Sequence, residues 1–94
     1  NPTVVPKEFS LASNYPNPFN PSTTVQFDLP EPAVVSLKVY NMLGQEVATL
    51  VENANYDAGR HTVVFGAEHL ASGVYVYRIV AGRYTEARKM LLLK

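Results

Sequence analysis

Beyond Pro21 the chain keeps a two-residue rhythm. Val25, Phe27 and Leu29 alternate with Thr24, Gln26 and Asp28, which predicts a strand with one buried face. Pro30-Glu31-Pro32 stops it, and Val35, Leu37 and Val39 then alternate with Ser36, Lys38 and Tyr40 in a second strand. Asn41-Met42-Leu43-Gly44 reads as a turn with Gly44 placed for positive φ, so a hairpin follows. Its return strand runs from Glu46 to Val51, with Val47 inward and Leu50 near a bend, and Asn53 to Gly59 is polar and turn-rich. His61, Val63 and Phe65 predict another alternating strand, and Gly66 to Gly73 is a short connection with room for one helical turn. Val74 to Ala81 is β-branched and aromatic, and Ala81-Gly82-Arg83 turns tightly into a last strand, Tyr84 to Leu93.

The entry to this pattern is different. Residues 1–21 hold five of the seven prolines, three of them in Asn14-Tyr15-Pro16-Asn17-Pro18-Phe19-Asn20-Pro21 at their end. Proline fixes φ, lacks an N–H and restricts the residue before it, while asparagine bonds its own backbone and tolerates turns. The segment is therefore expected to be an ordered, extended loop pinned by Tyr15 and Phe19. About six or seven short strands separated by turn signals, with no amphipathic helix, predict an all-β, two-sheet antiparallel sandwich. Val25, Phe27, Val35, Leu37, Val39, Val63, Phe65 and Ile79 share inward phases and are its expected core. Val74, Val76 and Val80 make the second face of their strand apolar too, as in a central strand covered on both sides.

Composition narrows the function. A chain of 94 residues that is 47% hydrophobic makes one domain with a core. Zero net charge argues against a nucleic-acid binder working through bulk electrostatics. The absence of cysteine excludes disulfides, thiolate catalysis and zinc fingers or ribbons. No apolar run approaches the roughly 18 residues of a membrane-spanning helix, and Asn1-Pro2-Thr3 does not open a signal peptide. The neutral total hides an asymmetry. Residues 1–69 carry Lys7, Lys38 and Arg60 against seven acids, whereas residues 70–94 carry Arg78, Arg83, Arg88, Lys89 and Lys94 against Glu86. The plainer reading is self-complementarity, with basic last strands beside acidic earlier ones; the sharper one is a basic tail presented to a partner.

Catalytic chemistry is missing from the pattern. The acids sit in turns or on polar strand phases; Asp28 and Glu46 are expected to face solvent on neighbouring strands with no pocket between them. His61 and His69 are not spaced as metal ligands on one helical face, and His61 shares the phase of Val63 and Phe65, so a half-buried, hydrogen-bonded histidine is expected. The glycines are scattered and form no phosphate loop. No catalytic residue, metal site or cofactor is therefore assigned. Tyr75 and Tyr77 share a face that Tyr84 extends, and such a row either stacks on sugar rings or fills the core; packing is the expected use.

Three stretches together resemble one family. Tyr15-Pro16-Asn17-Pro18-Phe19-Asn20-Pro21-Ser22-Thr23-Thr24 is similar to the opening of the type A C-terminal sorting domain of the type IX secretion system. Val39 to Val47, with Gly44 at its turn, is similar to the middle hairpin of that family. Ala71-Ser72-Gly73-Val74-Tyr75 with its continuation to Arg78, and Lys89 to Lys94, are similar to the closing strands. The immunoglobulin-like domain of flagellar hook-cap proteins shares the Ser72-Gly73-Val74-Tyr75 strand.

The resemblance implies an immunoglobulin-like sandwich over residues 9–94, with residues 1–8 a linker from an upstream cargo domain and the natural place for cleavage. It implies a non-catalytic signal at the C-terminus of a larger exported bacterial protein, often a polysaccharide-degrading enzyme. Such a signal passes from the periplasm across the outer membrane to the cell surface. Its implied partners are the outer-membrane secretion machinery and a surface sortase-like peptidase, with the domain monomeric. Arg88, Lys89 and Lys94 are the recognition candidates. The motif positions are Pro16, Asn17, Pro18, Phe19, Asn20, Pro21, Gly44, Ser72, Gly73 and Tyr75. Two other classes fit the same pattern: a carbohydrate-binding accessory sandwich of a modular glycosidase, and a passive immunoglobulin-like spacer.

Overall fold

Alternation of apolar and polar residues becomes alternation of burial. In the computed structural model, which describes residues 5–94, the strands are β1 (Ser10–Leu11), β2 (Ser22–Leu29), β3 (Ala33–Tyr40), β4 (Glu46–Tyr56), β5 (Gly59–Gly66), β6 (Gly73–Ala81) and β7 (Tyr84–Leu92). They form two antiparallel sheets, ordered β1-β2-β5 and β4-β3-β6-β7, in an immunoglobulin-like β-sandwich. Among the described residues there is no helix long and apolar enough to cross a membrane. Val25, Phe27 and Leu29 of β2 face Val35, Leu37 and Val39 of β3, Tyr77 and Ile79 of β6, and Met90 and Leu92 of β7 in one core.

Turn chemistry sets the register. Gly44 takes φ +85° in the β3–β4 turn, where Asn41 accepts from the amides of Leu43 and Gln45 through its side-chain oxygen. Gly82 takes φ +61° at the first position of the two-residue turn that pairs Ala81 with Tyr84, the placement a type II′ hairpin requires.

Four expectations need correction. The return strand does not stop at Val51; β4 runs on to Tyr56 through irregular pairing with β3. Asn53 adopts φ +48°, and Ser36 both donates to its side-chain oxygen and accepts from its amide. Asparagine tolerates that left-handed conformation, so the polar stretch makes a bulge inside the strand. Val63 is half-buried beside the core because β5 is an edge strand; Phe65 is its buried aromatic. Val74 and Val80 are each 39% exposed, so β6 is covered on one face only, and its β-branched residues satisfy strand preference without burial. The connection from Gly66 to Gly73 makes a turn closed by the Leu70 amide on the Ala67 carbonyl, with no helical turn. The seventh strand is β1, whose buried Leu11 pairs with Phe27.

Phe27 sits at the centre, fully buried, with Tyr56 packed edge-on at 5.4 Å and His61 at 5.5 Å. Phe27→Ala is expected to cost about 3–5 kcal/mol in chemical denaturation. A loss below about 1 kcal/mol contradicts this core.

Candidate functional site

The proline-rich entry lies across the open side of the sandwich. Its backbone pairs with both sheets: Tyr15 exchanges two hydrogen bonds with Thr24 of β2, and Phe19 bonds Leu91 and Leu93 at the end of β7. The Asn17 side-chain oxygen accepts from the Leu91 amide at 3.0 Å. Two bonds from the last strands reach the preceding residues. The Tyr77 hydroxyl donates to the Ala12 carbonyl at 2.7 Å, and Arg88 Nε donates to the Leu11 carbonyl at 2.5 Å. Residues 11–19 therefore form a strap between β2 and β7.

Its interior is polar and buried. Asn14, 3% exposed, donates from Nδ2 to Thr23 Oγ1 at 3.0 Å and to the Pro16 carbonyl at 3.2 Å. Thr23 in turn donates to the Pro16 carbonyl at 2.8 Å, while Asn14 Oδ1 has no protein partner. Phe19 anchors the loop, buried against Phe65 with ring centroids 6.1 Å apart. Tyr15 does not pin it: its ring is 80% exposed, and only its backbone holds β2. Pro16, Asn17, Pro18 and Asn20 are exposed, and Pro21 is half-buried and accepts from Ala67 through its carbonyl.

The other motif positions have local work. Gly73 opens β6 opposite Leu92, and Ser72 Oγ accepts from the Lys94 amide at 2.9 Å. Tyr75 is buried, and its hydroxyl donates to the Ala71 carbonyl at 2.6 Å. With Tyr77 fully buried as well, the tyrosine row is turned into the core and offers no flat aromatic surface. Tyr84 closes the row at the rim, stacked on Phe9 at 5.2 Å.

The three candidate cations do not converge. Arg88 is spent on Leu11 and lies 3.6 Å from Glu86. Lys94 Nζ donates to the Glu68 carbonyl at 2.5 Å. Lys89 is exposed on the outward phase of β7, opposite Val76, and makes no hydrogen bond or ion pair among the described residues. The charge halves do not neutralise each other either. The ion pairs of the described residues, Lys38–Glu46, Arg60–Asp28 and Arg88–Glu86, each stay within one half. Register is one reason: Arg78 of β6 lies opposite Lys38 of β3, whose other outward residues are Ser36 and Tyr40. Asp28 and Glu46 are on different sheets, and Asp28 is bound to Arg60 at 3.0 Å. His61 is half-buried and bonds the Asp57 carbonyl through Nε2 at 2.8 Å.

Sequence reasoning missed the Asn14–Thr23 pair. Its signal was present: Thr23 is a hydroxyl on the inward phase of Val25, Phe27 and Leu29, and an inward hydroxyl needs a partner.

Thr23→Val keeps the shape but removes one partner each from Asn14 and the Pro16 carbonyl, and is expected to cost about 1–3 kcal/mol in denaturant. Thr24→Val, on the outward phase, is expected to stay within about 0.5 kcal/mol, and equal effects contradict the buried bond. Burial first, then the hydrogen bond to Glu86, pushes the Tyr84 phenol up to about 12. An unfolded tyrosine titrates near about 10, so the folded state holds this proton more tightly. Its contribution is complete below about pH 10 and is lost as pH rises towards 12. Stability measured against pH is expected to fall less steeply in that window for Tyr84→Phe; an unchanged slope contradicts the assignment.

A family model described as the secretion system C-terminal sorting domain matches residues 13–93, which takes in most of the strap and the strands β2 to β7. No match to the chain is found among curated proteins.

Proposed function

The chain belongs to the family of secretion system C-terminal sorting domains, and we propose that residues 9–94 carry a larger bacterial protein across the outer membrane to the cell surface. A C-terminal sorting signal for type IX secretion is what this membership supports. The observation that carries the reading is the family match over residues 13–93, coinciding with a strap that ties the entry motif to the final strand.

The finer assignments belong to the same proposal. The cargo lies upstream, and a polysaccharide-degrading enzyme is the class proposed. Residues 1–8 are its linker and the place where a sortase-like peptidase cuts. Phe9 supports that boundary as a half-buried ring against the core, stacked on Tyr84. The domain travels as a monomer through the periplasm. Kinship with the hook-cap immunoglobulin-like domain rests on the Ser72–Tyr75 strand. Of the three terminal cations, Lys89 is the one proposed for recognition, because Arg88 and Lys94 are engaged with backbone carbonyls.

The test is a reporter with a periplasmic signal peptide at its N-terminus and residues 1–94 at its C-terminus. In a host with the type IX system it is expected at the cell surface. In the same host lacking the outer-membrane translocon it is expected to stay in the periplasm. Retention in the competent host contradicts the proposal.

A further inference from the structure

The outer face of the β3–β6–β7 sheet is open to solvent. Register places Lys38, Arg78 and Ala87 in one cross-strand row and Tyr40, Val76 and Lys89 in the next. Two contiguous recesses of about 440 Å³ each share Val76 and Ala87 as their floor. Met42 and Arg78 wall one; Lys89 and Arg88 wall the other.

Cations predominate on this face, where Glu46 stands opposite Tyr40. The Arg78 guanidinium lies 5.3 Å from the Tyr40 ring centroid and donates to its hydroxyl at 3.3 Å, which fixes it while leaving most of its donors free. Neither Arg78 nor Lys89 is in an ion pair among the described residues. Glu46, beside Lys38, is held by that lysine and by the Thr49 hydroxyl; Glu86 lies on the other phase of β7 with Tyr84 and Arg88. Two cations flank an apolar floor, and among the described residues no acid is ion-paired with either.

We propose that this face is a docking groove for an extended, acidic protein segment, with Arg78 and Lys89 binding the carboxylates of glutamates two residues apart, whose methylene stems lie over Val76 and Ala87. Arg78 and Lys89 are diagonal neighbours on adjacent strands, a relation that sets side chains about 7–8 Å apart. Same-face residues of an extended chain repeat at about 6.6–6.8 Å, so successive carboxylates match the two cations. A recess walled by side chains suits a peptide better than a flat lipid surface. The groove deepens the export reading, on which it rests, by giving the secretion machinery a face to hold.

The chain is labelled with ¹⁵N and titrated with the acetylated, amidated peptide Glu-Leu-Glu-Leu-Glu, then with the Lys-for-Glu peptide and with phosphatidylglycerol vesicles. The acidic peptide is expected to shift the amides of Tyr40, Val76, Arg78, Ala87 and Lys89, and to bind more weakly as salt rises. The variant R78Q/K89Q is expected to weaken it about tenfold or more with the melting curve held. Ala87→Leu, which fills the recess and keeps every cation, is expected to weaken it as well. Shifts elsewhere, equal binding of the basic peptide, or vesicle binding in place of peptide binding overturns the groove. In the export assay, surface delivery of a folded R78Q/K89Q fusion equal to wild type overturns the groove and leaves the sorting reading intact. A wild-type fusion held in the periplasm overturns the sorting reading, and the titration still decides whether the groove binds acidic segments.

Discussion

The structure depends on how residues 11–19 bind the end of the chain. A small sandwich has exposed backbone along the edges of its sheets, and unpaired N–H and C=O groups there invite pairing with other chains. Here the strap gives β2 the backbone of Tyr15 and gives β7 the backbone of Phe19 and the side chain of Asn17. Arg88 and Tyr77 send two further bonds back from the last strands to Leu11 and Ala12. The strap and the last strand therefore hold one another. Removing the final residues also removes Met90 and Leu92 from the core, so a truncation there acts on folding before it acts on recognition.

Much of this was legible in the chain. Strict alternation in β2 and β3 identified Val25, Phe27, Leu29, Val35, Leu37 and Val39 as inward residues, because a one-residue slip would expose them all. Gly44 and Gly82 marked two hairpins by the positive φ those turns demand. Other features had no local pattern to read. Two residues of β1 are too few to show a period, and the β4 bulge at Asn53 depends on Ser36, seventeen positions away. Tyr15 looked like an anchor by size, yet its place beside Thr24 turns the ring outward and leaves the backbone to bind. The terminal cations looked like one cluster because they are close in sequence. Their phases on and beyond β7 send Arg88 to Leu11, Lys94 to Glu68 and Lys89 to the open face.

The two faces of β6 and β7 thus divide their labour. The inner face spends its tyrosines and Arg88 on packing and on closing the strap. The outer face keeps Arg78 and Lys89 out of the ion pairs of the described residues, on a sheet that is already ordered before a partner binds. A signal of this kind is a folded surface, and its integrity rests on the strap.

That dependence is tested most directly by native-state hydrogen exchange at the amides of Phe19, Leu91 and Leu93, the groups that join strap and last strand. They are predicted to exchange only through global unfolding, with the same opening free energy as the amides of Leu37 and Val39 in the core. Fast exchange at these three, while Leu37 and Val39 stay protected, would show that the strap opens on its own and contradict the account.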